Sequence, residues 1–339
     1  MSAEQKPLQV TVIVPAFNSA DTLPACLNSL QRQTRVPDEI IVVDDDSLDQ
    51  TAQVAERLGV RVLRQSHAGP AAARNLGARV ARGDIVMFTD SDCEPRADWV
   101  EQMLKPFADP RVMGAKGTYI TRQSELLARL VQVEFEDKYA RMRRQGTIDF
   151  VDTYAAAYRR DIFVRLEGFN EIFPTASVED IELSFRLSER KARLVFAPQA
   201  QVLHTHPVSL KRYLARKARY GYWRALVYLW HPRKISGDSH TDPMLKTQFV
   251  LVGLVGVSTL AGLLNPYWLG LTLLVMGLLV ATTLPFAIRA NRRDSEVAWI
   301  VPPVHTIRAI VQAGALGVGL LVHGFLRRNH KLRIEDDGQ

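Results

Sequence analysis

Two short acidic runs in this chain have the residue types and spacing to do chemistry. Asp90-Ser91-Asp92 follows the apolar run IVMFT, and Asp44-Asp45-Asp46-Ser47 follows another, IIVV. Hard carboxylate oxygens of this kind suit Mg2+ or Mn2+, ions that bridge readily to phosphate oxygens. A divalent ion held there can act as a Lewis acid, neutralising the charge that develops on a departing diphosphate. Asp-x-Asp alone is a common turn. It gains weight from following a buried strand, with a second acidic run behind another. Further along, Ser177-Val178-Glu179-Asp180 opens the amphipathic stretch IELSFRL, with Ile181, Leu183 and Leu187 facing inward. Ser177 and Asp180 also fit a capping box, so a structural role stands beside a chemical one. The same holds for Asp44–Asp46, since Ser47 or Asp49 can cap a helix beginning near Thr51.

Those carboxylates need a scaffold, and the periodicity supplies one. Val10–Val14, Ile40–Val43, Val60–Leu63 and Ile85–Thr89 are short, β-branched apolar runs that predict buried strands. Between them Ala20–Gln33, Thr51–Leu58 and Ala71–Arg82 predict helices. Alternation with short links implies a mostly parallel sheet with right-handed crossovers. Such sheets bind ligands beyond the carboxyl ends of their strands, where Pro15-Ala16-Phe17-Asn18 and both acidic runs fall. Neither GxGxxG nor GxxxxGK[ST] occurs at these turns, which disfavours a dinucleotide fold or a P-loop. Ser124–Arg144 reads as one long helix, and His204 closes a strand-like segment, FAPQAQVLH.

The four segments VTVIVPAFN, IIVVDDDSLDQT, GPAAARNLGARVARGDIVMFTDSD and SVEDIELSFRL, in this order over residues 8–205, resemble family-2 glycosyltransferases of the GT-A fold. The resemblance implies an inverting transferase that uses a nucleotide-sugar donor, a UDP-sugar first, and a divalent cation. It places Pro15, Ala16 and Asn18 beside the nucleotide, and Asp45 on the base with Asp44 supporting it. Arg74 and Asn75 match the ARN segment near the donor. Asp90 and Ser91 fall near the ribose and sugar, and Asp92 matches the principal metal ligand. Position 46 is usually glycine in the family and is Asp46 here, so the geometry of that turn is open. Glu179-Asp180 matches the ED motif: Asp180 takes the place of the general base that deprotonates the acceptor hydroxyl, and Glu179 shapes the acceptor pocket. His204 stands where many relatives complete the metal shell or touch the diphosphate. Arg216, Arg219 and Tyr220 loosely resemble the (Q/R)xxRW element of membrane-bound synthases, which implies contact with diphosphate or acceptor. A basic amphipathic helix lying on a membrane surface explains them equally.

Charge divides the chain. Residues 1–204 carry a net charge of −3 and residues 205–339 a net charge of +10. The basic excess sits beside apolar runs, which points to anionic lipid headgroups rather than to nucleic acid. From Phe249 to Ile288, 40 residues carry no charge. One helix of that length would measure about 60 Å, twice the hydrocarbon core, so the run must fold back. Asn265-Pro266-Tyr267-Trp268 is the expected turn, between arms Phe249–Leu264 and Leu269–Ile288. A third apolar run, Ala309–Leu326, can span or lie at the interface. Arg233, Lys234 and Lys246 precede the hairpin and Arg289, Arg292 and Arg293 follow it, which sets both its ends in the cytoplasm. No secretory signal precedes residue 10, so the first 240 residues are expected to be cytoplasmic. The two cysteines, Cys26 and Cys93, are too few for a disulfide framework and fit a reducing compartment.

The expected organisation is a GT-A domain over 1–207, a basic interfacial linker over 208–247, a transmembrane hairpin over 248–288, and a third apolar helix with a basic tail over 289–339. The expected activity is transfer of a sugar to a lipid-linked or glycan acceptor in a multi-pass cell-membrane protein that binds lipid and no nucleic acid. A processive polysaccharide synthase and a non-catalytic sugar-nucleotide-binding membrane protein are the alternatives.

Overall fold

The computed structural model describes residues 7–235, 237 and 241–326. The basic tail positions Arg327, Arg328, Lys331 and Arg333 lie outside these. The chain forms two compact units, one of Met1–Gln123 with Lys138–His206, the other of Ser124–Asp137 with Pro207–Gln339.

The first unit is built on an eight-stranded sheet. In chain order the strands are β1 (Val10–Ala16), β2 (Glu39–Asp44), β3 (Arg61–Arg64), β4 (Ile85–Phe88), β5 (Cys93–Pro95), β6 (Val112–Ile120), β7 (Ala156–Arg159) and β8 (Arg193–His204). Their spatial order is β3-β2-β1-β4-β7-β6-β8-β5. The β3-β2-β1-β4 half is parallel, as the strand–helix alternation predicts. The other half is mixed: β4 meets β7, β7 meets β6 and β8 meets β5 antiparallel, while β6 and β8 run parallel. Val10, Val12, Ile13 and Val14 have no exposed surface, which is why β1 is apolar on both faces, with Thr11 its one polar side chain, rather than alternating.

Helices α1 (Leu23–Gln31), α2 (Thr51–Arg57), α3 (Pro70–Val80), α4 (Trp99–Leu104), α6 (Arg160–Arg165) and α7 (Glu179–Glu189) belong to this unit, and α5 (Leu126–Met142) contributes to both. Helix α1 starts three residues later than the periodicity predicts, because Pro24 sits in its first turn and Ser19–Thr22 close a turn of their own. Registers Ala16↔Asp44 and Ile13↔Phe88 bring the ends of β1, β2 and β4 to one edge of the sheet. The loops carrying Asn18, Asp45 and Asp90 therefore emerge together.

The second unit contains α8 (Leu210–Trp230), α9 (Pro243–Gly262), α10 (Tyr267–Ala281), α11 (Leu284–Asn291) and α12 (Ser295–Leu321). Three helical segments, Met244–Gly262, Tyr267–Asn291 and Ser295–Gly324, are long and apolar enough to cross a membrane. The hairpin turns at Asn265-Pro266, where the sequence predicts it, and the Ser258 and Thr272 hydroxyls bond across its arms at 2.9 Å. The third helix begins 14 residues before the predicted apolar run. Arg308, which precedes the expected run, lies within α12, as do Pro302 and Pro303. Arg308 is tolerated because the Glu134 carboxylate accepts from its guanidinium at 2.9 Å, from Lys217 at 2.9 Å and from the Tyr213 hydroxyl at 2.7 Å. Helices α8 and α12 approach closely at glycines: a Cβ at Gly221 would strike the Gln312 carbonyl, and one at Gly319 the Tyr222 carbonyl.

Candidate active site

The loops at the carboxyl edge are tied to one another before any ligand is considered. After β1, Asn18 takes a left-handed backbone, φ 47°. Its amide donates to Ser47 Oγ at 2.9 Å and its side-chain oxygen accepts from the Leu48 amide at 2.8 Å. Ser91 Oγ donates to Ser19 Oγ at 2.9 Å, joining the β4 loop to the β1 loop. Pro15 and Ala16 are buried at the end of β1. The turn after β2 needs one left-handed residue, and Asp46 provides it at φ 66°. Aspartate tolerates this region better than most side chains, so the departure from glycine leaves the turn intact. The expected cap at Thr51 takes another form, with no side-chain bond at the N-cap residue; Asp49 instead accepts from the Thr51 amide at 2.9 Å.

Asp45 is 3% exposed, and its carboxylate is crowded with donors. Oδ1 accepts from Gln65 Nε2 at 2.7 Å and from the Ala68 amide at 2.8 Å, and Oδ2 accepts from the Gly69 amide at 2.9 Å. His67 Nδ1 stands 3.1 Å from Oδ2. Those four contacts match the lone-pair capacity of a carboxylate, so Asp45 holds the loop that leads into α3. The exposed Phe17 and His67 rings pack 4.5 Å apart beside it.

Arg74, on α3, is 2% exposed. One of its terminal nitrogens donates to Asp90 Oδ1 at 2.7 Å and the other to Glu179 Oε1 at 3.3 Å. One guanidinium thus joins the end of β4 to the start of α7, segments about ninety residues apart in sequence, because a rigid planar fork can serve two carboxylates at once. Asn75 beside it donates to the Phe169 carbonyl and to Glu171, both at 2.8 Å. The capping box of Ser177 and Asp180 does not form. Glu179 Oε2 instead accepts from the Ser177 amide at 2.8 Å.

Asp180 is half-buried and accepts from the Ile181 amide at 2.8 Å. Burial, with the Glu179 charge beside it, pushes its carboxyl up to about 7, against the opposing pull of Lys138 and Arg74. Buried Lys116 and Lys138 both pair with Asp152. Burial holds Lys116 well below the usual lysine range even though Asp180 pulls the other way.

Asp92 and His204 lie side by side, with His204 Nδ1 3.7 Å from Asp92 Oδ1. The Tyr119 ring stacks on His204 at 4.4 Å. Cys93, which the sequence reading did not place here, joins them, and one donor atom from each of the three lies within 4.8 Å of the others. Burial and the neighbouring Asp90 carboxylate raise the Asp92 carboxyl, while His204 opposes the shift. Carboxylate and imidazole at this separation fit a divalent ion. Arg216, Arg219 and Tyr220 lie on α8 in the second unit. Arg216 Nε donates to Tyr220 Oη at 2.8 Å, and Arg219 is exposed.

Residues 11–166 match the Glycosyl transferase family 2 model. Over 235 residues the chain is 34% identical to the Pre-mycofactocin glycosyltransferase of Mycobacterium tuberculosis, covering 66% of this chain and 48% of that protein. It is 24% identical over 213 residues to the O-antigen chain rhamnosyltransferase RfbN of Salmonella typhimurium, covering 59% and 67%. The chain therefore spans about half the length of its mycobacterial relative. Among solved structures, the mannosyltransferase PcManGT from Pyrobaculum calidifontis, in complex with GDP-Man and Mn2+, aligns with a TM-score of 0.61 at 21% identity. That alignment covers 93% of this chain and 88% of the other, a likeness of fold. The chain carries a Glycosyl transferase family 2 domain over residues 11–166, on a GT-A fold with a mixed, mostly parallel sheet and three apolar helices beyond it.

Proposed function

We propose that this protein is an inverting glycosyltransferase that moves a sugar from a nucleotide diphosphate donor to a lipid-linked acceptor at the cytoplasmic face of a membrane. The observation that carries this reading is the Arg74 guanidinium held between Asp90 and Glu179. It draws the Asp90–Asp92 run and the Glu179–Asp180 pair to a single place.

In this reading the nucleobase rests on the exposed Phe17 and His67 rings, and Asp45 keeps the 65–69 loop in shape behind it. Pro15, Ala16, Asn18 and Ser91 form the walls around the nucleoside and sugar. Asp92 and His204 hold the divalent ion, Mg2+ or Mn2+, which supplies charge neutralisation to the departing diphosphate. Asp180 takes the proton from the acceptor hydroxyl as the oxygen attacks the anomeric carbon from the face opposite the diphosphate. A carboxyl near 7 suits that task, since it is ionised often enough to accept a proton and basic enough to keep it. Glu179, committed to Arg74, orients the neighbouring peptide on the acceptor side.

The second unit supports the membrane part of the reading. Three helices there are long and apolar enough to cross, and Arg233, Lys234, Lys246, Arg289, Arg292 and Arg293 flank the hairpin. Arg216, Arg219 and Tyr220 on α8 supply cation and ring to an acceptor phosphate or a headgroup. A processive synthase would make long products from the same donor, so product length by mass spectrometry separates the two.

The test is a panel of nucleotide sugars, UDP-sugars and GDP-mannose included, offered to the full-length protein in detergent with a lipid-phosphate acceptor. One donor should be consumed with transfer in the presence of Mn2+ or Mg2+. Asp180→Asn should cut turnover by about 10²–10⁴ and leave donor binding intact. Near-normal turnover in that variant removes Asp180 from the chemistry. Failure of every donor to react favours a sugar-nucleotide-binding protein without catalysis.

A further inference from the structure

Cys93 and His204 stand directly opposite each other in the antiparallel pairing of β5 with β8. Opposed residues project to the same face of a sheet. Asp92 adjoins the start of β5, and its carboxylate turns toward the same point. Cys93 Sγ is 3.7 Å from Asp92 Oδ1 and 3.7 Å from His204 Nδ1, and the third side of the triangle, His204 Nδ1 to Asp92 Oδ1, is also 3.7 Å. A tetrahedral ion bonded at about 2.3 Å to sulfur and about 2.0–2.2 Å to nitrogen and oxygen would hold its donors roughly 3.3–3.6 Å apart. Small side-chain rotations close that difference.

We propose that Cys93 is a third protein ligand, making with Asp92 and His204 a carboxylate–imidazole–thiolate centre that takes borderline ions such as Co2+ and Zn2+ in preference to Mg2+. The proposal rests on the reading above, in which Asp92 and His204 hold a divalent ion. It deepens that reading by changing the chemistry of the donor set. An all-oxygen shell is the preference of Mg2+, whereas sulfur and imidazole draw softer ions. On binding, the thiol proton passes to solvent and a sulfur–metal bond forms, so each ion bound releases one proton from Cys93.

The surroundings agree. Cys93 has no exposed surface. The Tyr119 ring, stacked on the His204 imidazole, fixes its orientation. Cys26 provides an internal control. It is equally buried, and its sulfur lies 3.5 Å from the Asp90 carbonyl oxygen and is not one of the three gathered donors.

The experiment is a Co2+ titration of the full-length protein in detergent, with and without UDP, followed by absorption. A thiolate-to-cobalt charge-transfer band in the near ultraviolet should rise together with the visible d–d bands and saturate at a single ion per chain. Cys93→Ser should lose the charge-transfer band and keep the d–d bands, and Cys26→Ser should keep both. Zn2+ should then displace Mn2+ at lower concentration than Mg2+ does, read from the electron paramagnetic resonance of released Mn2+. Wild-type d–d bands without the charge-transfer band overturn the proposal and leave the two-ligand site standing. A charge-transfer band lost in Cys26→Ser, or Mg2+ displacing Mn2+ more readily than Zn2+ does, overturns it in the same way. A protein that binds no Co2+ overturns both the proposal and the metal reading beneath it. Should Cys93→Ser fail to fold, the wild-type spectrum and the Cys26→Ser spectrum still decide.

Discussion

Replacing Arg74 by methionine removes the buried cation between Asp90 and Glu179 while keeping most of its volume. Arg74 is 2% exposed, its contact to Asp90 is 2.7 Å and its contact to Glu179 is 3.3 Å, so both carboxylates would lose a desolvated partner. Removing one member of such a buried group costs about 3–5 kcal/mol, because the charges left behind cannot recover their hydration. Asp90 is 28% exposed at its side chain and can draw in water, which favours the lower end, ~3 kcal/mol. In a unit of this size each kcal/mol lowers the melting temperature by about 2–4 °C, so a fall of roughly 6–12 °C is expected. A second effect reads the chemistry. Arg74 is one of the cations that holds the Asp180 carboxyl down. Without it the acid limb of kcat/KM should move above its position near 7, and each unit of movement lowers the rate on the acid side about tenfold. Arg74→Lys should fall between the two, since one ammonium reaches only one carboxylate well. Scanning calorimetry with a pH-rate series measures both effects. A methionine variant that melts within about two degrees of the parent, with its acid limb unmoved, would refute the claim that this guanidinium holds the two motifs together.

Three further outcomes follow from the same geometry. In the parent protein kcat/KM at saturating metal should rise about tenfold per unit as pH climbs toward the Asp180 value near 7 and level off above it, because only the ionised carboxylate can accept a proton; a profile flat from about pH 5 to 8 contradicts this. Glu134→Ala leaves Lys217 and Arg308 without the carboxylate between them and should cost about 3 kcal/mol in thermal unfolding, with Glu134→Gln milder because it keeps hydrogen-bond acceptors; equal melting of Ala variant and parent contradicts it. Asp46→Gly should raise stability by about 0.5–1 kcal/mol, since glycine enters the left-handed region without a side-chain penalty, and Asp46→Val should lower it; chemical denaturation with the order reversed contradicts this.

What the sequence discloses and what it conceals follow from the range of the interactions. Strands β1, β2 and β4 are legible because burial on both faces gives them the apolar runs Val12–Val14, Ile40–Val43 and Ile85–Phe88, and the loops at their ends are legible because a parallel sheet gathers those ends. The hairpin turn at Asn265-Pro266 is legible because proline and the apolar length leave no other place for it. In the other half only β8, the FAPQAQVLH segment, is legible, and its antiparallel partners are not. Strand β5 is only three residues long, and β7, though as long as β4, reads AAYR and lacks the β-branched run that marks β4. The opposition of Cys93 and His204 depends on that pairing, so the cysteine passes for an isolated core thiol although it adjoins Asp92. The filled carboxylate of Asp45 is hidden for a similar reason, since its donors come from a loop twenty residues on whose backbone direction no local pattern specifies. Helix α12 begins before its apolar run because a partner on α5, Glu134, balances Arg308 within it.

The distribution of acids across the site carries a further consequence. Four carboxylates, at 90, 92, 179 and 180, come from two short segments, and within each segment neighbouring acids have different partners. Asp90 and Glu179 are bound to one buried guanidinium, which fixes their segments. Asp92 faces His204 and Cys93, and Asp180 takes an amide hydrogen bond and keeps a raised carboxyl pKa. The first pair is held in place by a cation that cannot leave. The second pair lies one or two residues away, close enough to inherit that rigidity, and in the proposed reaction its members would meet a metal ion and a proton respectively. Preorganisation of this kind makes the two positions in each motif inequivalent: neutralising Asp90 or Glu179 should loosen the scaffold, whereas neutralising Asp92 or Asp180 should leave the fold in place and remove one chemical role each.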